Sequence, residues 1–252
     1  MTAKIIAITN QKGGVGKTTT TVNLSASLGI TKRKVLLVDF DPQGNATTGS
    51  GFNKAELDYS VADVLLNRIS SKDVLQKTQG SYDLLPANSQ LTASEIQLLK
   101  LNEREYFLQR VLLPLCDHYD FIFIDCPPAL NILTVNALVA AKSVIIPMQC
   151  EYYALEGLAA LLQTISQLQQ TTNMELKIAG ILRTMYDGRN RLTLDVSTQL
   201  EQHFPGKVYK TVIPRNVRLA EAPSYGLPVL LYDDKSQGAI AYLALAGEIC
   251  KV

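Results

Sequence analysis

The apolar, β-branched run Ile5-Ile6-Ala7-Ile8 stops at a glycine-rich turn and passes at once into a helix-forming stretch, giving IIAITNQKGGVGKTTTT over residues 5–21. Strand, loop and helix in immediate succession commit this part of the chain to an α/β unit. Backbone amides then gather at a helix N-terminus, the arrangement of a phosphate-binding loop. Gly13, Gly14, Val15 and Gly16 supply the loop amides, and Thr19 continues into the helix. Lys17 is placed to reach the β- and γ-phosphates of a nucleotide, and the Thr18 hydroxyl to ligate Mg²⁺. Gln11 stands where the common pattern has its first glycine, and a second lysine, Lys12, precedes Gly13. Two lysines flanking GGVG are hard to explain as a solvated surface turn.

Apolar strand-like runs alternate with helical patterns along the rest of the chain. Residues 4–9, 34–38, 121–124, 143–146 and 177–182 are nearly continuous in apolar residues, as strands covered on both faces require. Weaker strands are expected at 82–85 and 208–213. Helical patterns occupy 17–28, 60–66, 104–115, 155–169, 192–203 and 239–249, with Ser60 and Asp63 spaced as a capping pair. The pattern predicts a mostly parallel twisted sheet with helices on both faces, a P-loop α/β fold, in a single domain over residues 1–252. Apolar residues make up 47% of the chain, enough for a sizeable core, and the formal net charge is +1, so any nucleic-acid site must be a local patch. The four cysteines are scattered without CxxC spacing, which argues against a zinc site or a disulfide framework and for thiols in a reducing cytosol. No secretory leader pattern or 18-residue apolar run is visible, so the expected location is cytoplasmic with no membrane partner.

Two further segments carry carboxylates to the ends of buried strands. Residues 35–45 read VLLVDFDPQGN, placing Asp39 and Asp41 where open α/β sheets bind ligands. Turn capping by Asp41-Pro42 is the plainer alternative. Residues 121–128 read FIFIDCPP, and Asp125 has the form of a Walker B aspartate, which needs a cationic partner such as Mg²⁺. Between residues 183 and 218, seven Lys/Arg stand against three acids. That asymmetry suggests an anionic partner, with solvated surface charge as the alternative.

KGGVGKTT resembles the deviant Walker A motif of the family that contains the ParA, Soj and MinD ATPases and the nitrogenase iron protein. The resemblance implies ATP/ADP and Mg²⁺ as cofactors and an ATP-dependent homodimer in which Lys12 crosses to the other subunit's nucleotide. VDFDPQGN matches a family segment in which Asp41 orients the attacking water and Asp39 lies near the Mg²⁺ shell. DCPP matches at Asp125, Pro127 and Pro128. By the same resemblance, Thr184 in GILRTMYD and Pro214 in IPRN are the contacts to the adenine. IPRNVRLAEAPSYGLP is close to a signature of chromosomal ParA and Soj proteins. It implies non-specific double-stranded DNA binding through Arg189, Lys207, Lys210, Arg215 and Arg218, and hydrolysis stimulated by a ParB-like partner. A nucleoid-associated partition ATPase is therefore expected, with catalytic residues Lys12, Lys17 and Asp41 and no N-terminal helix-turn-helix domain. A MinD-like positioning ATPase of membrane or other cargo is the alternative. Its relatives end in a basic amphipathic helix, whereas AIAYLALAGEICKV reads as a helix that packs on a core.

Overall fold

The apolar runs form a seven-stranded sheet that runs, from edge to edge, Gln76–Lys77 (β3), Asp83–Leu85 (β4), Val35–Asp39 (β2), Phe121–Asp125 (β5), Lys4–Ile8 (β1), Ser143–Gln149 (β6) and Lys177–Thr184 (β7). The computed structural model describes residues 3–152 and 154–251. The first half contains β1 (Lys4–Ile8), α1 (Lys17–Gly29), β2 (Val35–Asp39), α2 (Asn45–Gly49), α3 (Val61–Leu65), α4 (Ser71–Val74), β3 (Gln76–Lys77) and β4 (Asp83–Leu85). There follow α5 (Gln90–Leu98), α6 (Phe107–Leu112), β5 (Phe121–Asp125), α7 (Ile132–Ala140), β6 (Ser143–Gln149) and α8 (Ala154–Thr171). The last part holds β7 (Lys177–Thr184), α9 (Arg191–His203), α10 (Val217–Glu221), α11 (Val229–Tyr232) and α12 (Gln237–Ile249). All pairings are parallel except the short β3 against β4.

Within the fully apolar strands the period of two still operates. Ile5, Ala7, Leu36, Val38, Ile122 and Ile124 face one core layer, closed by α3 and α5 to α9. Ile6, Ile8, Val35, Leu37, Phe121 and Phe123 face the other, closed by α1 and α12. This is why the strands read as unbroken apolar runs. The final helix packs on α1 as expected: Ala239, Tyr242, Leu245, Ala246 and Ile249 are buried, and the Tyr242 hydroxyl lies 3.1 Å from Thr20 Oγ1. No helix among the described residues is long and apolar enough to cross a membrane.

Register does the positioning. Ile8 pairs with Asp125, Asp39 pairs with the same Asp125 from the other side, and Gln149 pairs with Thr184. All these C-terminal strand ends therefore share one edge, with β1 at the point where the strand order reverses, the usual ligand crevice of open parallel sheets. β1 leaves the sheet early. Its last ladder bond is Thr9 N–H to the Ile145 carbonyl, and Pro147 has no N–H to offer the next one.

Two expectations are corrected. Residues 208–213 do not form a strand; the segment meets β7 through an isolated bridge of Val208 with Ile181 and through the amides of Tyr209 and Ile213, which donate to the Ile181 and Arg183 carbonyls, and a second isolated bridge joins Tyr186 with Pro214 just beyond both. Between those points the amides of Lys210 and Thr211 turn away to the Glu248 carboxylate at 2.8 and 3.0 Å. The expected helix at 104–115 is three pieces: a 3₁₀ turn at Arg104–Tyr106, α6, and a second 3₁₀ turn at Leu113–Leu115. Pro114 in the last piece cannot donate to a continuing α-helix. The capping pair at Ser60 and Asp63 is present, with Asp63 accepting from the Ser60 amide at 3.0 Å.

Gly180 is required by close approach, because a Cβ there would stand 2.5 Å from the Tyr209 ring. Gly180→Ala is expected to destabilise the protein by about 1–3 kcal/mol through overpacking. Gly247→Ala, in α12 with nothing within 4 Å of a new Cβ, is expected to stabilise it by about 0.4–1 kcal/mol. Urea unfolding followed by circular dichroism measures both changes.

Candidate functional site

The loop between β1 and α1 is fixed from both sides. Asn10 donates through Nδ2 to the Pro147 carbonyl at 2.8 Å and accepts the Lys12 amide on Oδ1 at 3.0 Å. Gly14 and Gly16 have φ of 73° and 86°, left-handed values that an L side chain adopts only at a cost. The Val15 carbonyl accepts from the Thr184 hydroxyl at 2.8 Å, which ties the loop to the end of β7. Gly13 has open space around it: a Cβ at that position would meet nothing within 4 Å. The subunit's own packing therefore does not demand glycine there.

Lys17 is buried, and its Nζ donates to the Lys12 carbonyl at 3.1 Å. Burial lowers its pKa from the ordinary lysine value, opposed by the nearby Asp125, Cys126 and Asp41. Asp125 accepts from the Thr18 hydroxyl at 2.7 Å and from the Thr21 hydroxyl at 3.0 Å. Asp39 accepts from the Thr47 amide and hydroxyl, both at 2.7 Å, and from the Asp41 amide at 3.3 Å. Both carboxyls are fully buried and pushed above the usual carboxylate range, first by burial, with the Asp39 charge adding to the shift of Asp125. Asp41 accepts the Gln43 amide at 2.9 Å and borders the open crevice.

Three buried or nearly buried carboxylates thus share a strand edge with one buried ammonium. Such an edge favours a further cation. The donors are hard oxygens, with Thr18 and Asp125 already touching, and they fit Mg²⁺. Among the described residues no three carboxylate, thiol or imidazole groups form a closed cage.

Two adjoining cavities extend this edge. One of about 320 Å³ is lined by Gly13, Gly14, Lys17, Thr18, Asp41 and Pro128. The other, of about 190 Å³ and mainly apolar, is lined by Thr184, Ile213, Pro214, Leu219 and Tyr242. Gly16, Thr19 and Met185 border both, so a phosphate-sized space opens into a base-sized one. Met185 is held at φ 48°, unusual for an apolar residue and localised at this junction. A larger cavity of about 660 Å³ lies at the other end of β2. It contains no loop amide nest, and chemistry rather than volume identifies the nucleotide-shaped site.

The expected residues are thereby placed. Lys12, Gly13, Gly14, Val15, Gly16, Lys17, Thr18 and Thr19 form the loop and the start of α1; Asp39, Asp41 and Asp125 face it across β2 and β5; Thr184 and Pro214 line the apolar space. Several contributors were not anticipated. Lys12 pairs with Glu151 at 2.5 Å, beyond the end of β6. Gln43, Asn45, Met185 and Tyr242 line the cavities. Gln43 and Asn45 stand inside the DPQGN segment, where their proximity to Asp41 was a usable signal. Glu151 and Tyr242 gave none, because only the tertiary fold brings them close.

The basic cluster is divided. Arg183 is buried, bonded to Ser197, Glu201 and the Tyr209 carbonyl, and adds nothing to a surface patch. Arg189 is highly exposed and paired with Asp187 at 2.9 Å, and Arg215 lies near enough to help hold the Asp187 carboxyl below its usual range. Arg218 pairs with Glu221 at 2.8 Å and Asp233 at 3.3 Å. Lys207 instead donates to the Ile178 carbonyl at the start of β7, roughly 20 Å along the strand from the end that precedes Arg189. Lys210 is exposed near Glu248.

Comparison with known proteins places this geometry among relatives. Residues 3–178 match the AAA domain family. The sporulation initiation inhibitor protein Soj of Bacillus subtilis is 53% identical over 98% of this chain and 98% of its own length. The chromosome partitioning protein ParA of Myxococcus xanthus is 48% identical over 98% of this chain and 88% of its own. A crystal structure named as cobyrinic acid a,c-diamide synthase of Mycobacterium smegmatis, with bound ATP analogue and magnesium, superposes with a TM-score of 0.88 at 40% identity, covering 99% of this chain and 95% of that one.

Asp39 is the member of the carboxylate set most committed to holding its own loop. Asp39→Ala leaves the Thr47 amide and hydroxyl without their acceptor and is expected to cost about 1–3 kcal/mol. Asp39→Asn, which keeps one acceptor oxygen, is expected to cost less than the alanine variant. Thermal and urea unfolding of the two variants checks the order.

Proposed function

The chain belongs to the ParA/Soj family of P-loop partition ATPases, and from that membership we propose that it hydrolyses ATP as a nucleotide-bridged homodimer that binds DNA and segregates chromosomes or plasmids. The observation that carries this reading is the shared strand edge, where a two-lysine loop, a Thr18–Asp125 contact and Asp41 surround one phosphate-sized cavity. The greater identity to the Soj and ParA relatives than to the synthase-named structure favours partition over amide formation.

The loop amides and Lys17 bind the phosphates, with Lys17 moving from the Lys12 carbonyl to the anionic oxygens. Thr18 and Asp125 would hold Mg²⁺, directly and through water, and that ion would neutralise charge on the phosphates. Asp39 keeps the following turn in place through the Thr47 and Asp41 amides, which sets the direction of Asp41. Asp41 orients the attacking water and takes its proton as its oxygen bonds to the γ-phosphorus and the bond from that phosphorus to the bridging oxygen breaks, leaving ADP and phosphate. Thr184 and Pro214 border the adenine. Lys12 acts across the dimer, and its own-subunit pair with Glu151 must open first. The open space at Gly13 supports close approach of a second subunit's nucleotide there.

Arg189, Arg215 and Arg218 form the nearer part of the proposed DNA face, with Lys207 and Lys210 peripheral. Arg189 and Arg218 are already paired with acids, so a phosphate must displace those partners, and each contact alone is weak. Two copies in a dimer raise the affinity through multivalency. ATP would therefore switch DNA binding on, and hydrolysis stimulated by a ParB-like partner would switch it off.

Asp41→Ala is expected to keep ATP binding and dimerisation while turnover falls about 100-fold or more. Lys12→Ala should bind ATP and stay monomeric, and Lys17→Ala should lose tight binding. Light scattering with ATP, combined with phosphate release, separates the three; an ATP-dimerising Lys12→Ala protein would refute the trans role.

Arg218→Glu and Arg189→Glu are expected to weaken duplex binding on all sequences without changing ATP affinity. Wild-type binding should require ATP and fall steeply with salt. Fluorescence anisotropy at two salt concentrations, with ATP and with ADP, tests this; equal binding in ADP would overturn the switch.

A further inference from the structure

The cavity of about 660 Å³ is larger than either cavity of the candidate nucleotide site, and the ATPase reading leaves it unused. It opens at the N-terminal ends of β2 and β4, where Val35 and Asp83 line it, on the edge of the sheet opposite the phosphate loop. Its volume falls in the ordinary range for small-molecule sites.

Its lining has two distinct parts. Arg33, Lys34, Lys72 and Lys77 supply four cations against a single carboxylate, Asp83. Asp83 is already satisfied by Lys77 at 2.7 Å and by the Tyr119 hydroxyl at 2.7 Å. Among the described residues the side chains of Arg33, Lys34 and Lys72 form no ion pair and no hydrogen bond, although the Asp120 carboxylate stands beside Lys34 and accepts its backbone amide at 2.9 Å. The second part is carbon. Leu75 and Leu115 line the cavity, together with Tyr82 and Tyr119. Both phenols spend their hydroxyls elsewhere, Tyr82 on Ser50 at 2.7 Å and Tyr119 on Asp83. Tyr82 and Leu115 are covered by the protein's own core, so the apolar surface left to a ligand is Leu75 and the ring edge of Tyr119.

The rim is also strained. Lys32 and Ser81, neither of them glycine, sit at φ 64° and 61° in the two turns that meet beside the cavity. The turns are in close contact: Gly29 lies so near the Ser81 carbonyl that a Cβ there would clash with it. Left-handed side-chain residues persist where the surroundings enforce them, and they concentrate at ligand clamps.

We propose that this cavity is a second ligand site, for a small aromatic phosphate: a flat apolar body against Leu75 and the ring edge of Tyr119, and an anionic head held by Arg33, Lys34 and Lys72. The guanidinium and two ammonium groups suit a phosphate, which accepts several charge-assisted hydrogen bonds at once.

The probe is phenyl phosphate, titrated calorimetrically into the wild-type chain in saturating ADP and Mg²⁺ so that the phosphate loop is filled. One saturable site is expected, with inorganic phosphate and phenol each binding at least about tenfold more weakly. Arg33→Glu and Lys72→Glu, both at exposed positions, should each weaken phenyl phosphate binding about tenfold or more, with the milder Lys72→Gln in between and ADP affinity unchanged in all three. Absence of a saturable site would overturn the proposal. So would unchanged binding in both reversal variants, which places the anion elsewhere, or equal binding of inorganic phosphate, which removes the aromatic half.

Discussion

Asp39 and Asp125 are paired in register on neighbouring strands and fully buried at the same sheet edge. Two carboxylates cannot both ionise there cheaply without donors and a cation. The surrounding structure supplies the donors: Thr18 and Thr21 from α1 for one, Thr47 and the Asp41 amide for the other. Meeting that need fixes where α1 begins, how the chain turns after β2 and which way Asp41 faces. Electrostatic frustration at one strand edge thus becomes the organising condition of the proposed phosphate site.

Helix α1 carries this condition into the core. It is buried along nearly its whole length although it contains many hydroxyl and amide side chains. Most of these have structural partners: Thr20 meets Tyr242 of α12, Thr21 bridges Asp125 and the Lys17 carbonyl, and Asn23 links the Thr19 carbonyl to the Val229 amide. The bonds join the phosphate loop to α11 and α12, so the helix that presents the loop cannot shift without disturbing the far side of its layer.

Much of this was legible in the chain alone, for definite reasons. The strand-loop-helix start, the carboxylates after β2 and β5, and the doubly buried strands depend on local pattern, and the structure has them. The segment at 208–213 misled because its apolar alternation reflects packing of Tyr209 under Gly180 and amide bonds to Glu248, contacts that no local period encodes. Charge counting misled at Arg183, which is buried beneath α9 and bonded to Ser197. The pair between Lys12 and Glu151 spans 139 positions and becomes visible only once β1 and β6 are side by side.

Pro147 has a consequence beyond its own position. In a parallel ladder, the residue there would donate to the Thr9 carbonyl, and its own carbonyl would accept from the amide of Gln11. Proline withholds the first of these bonds, and the Asn10 side chain takes the carbonyl that the second would use. Strand growth is thereby arrested at Thr9. Had β1 zipped further along β6, the amides at the mouth of the loop would have been consumed as sheet bonds and turned away from an incoming anion. A missing donor in the neighbouring strand keeps that stretch of backbone available, so the capacity to cradle phosphate depends in part on an interruption in the sheet.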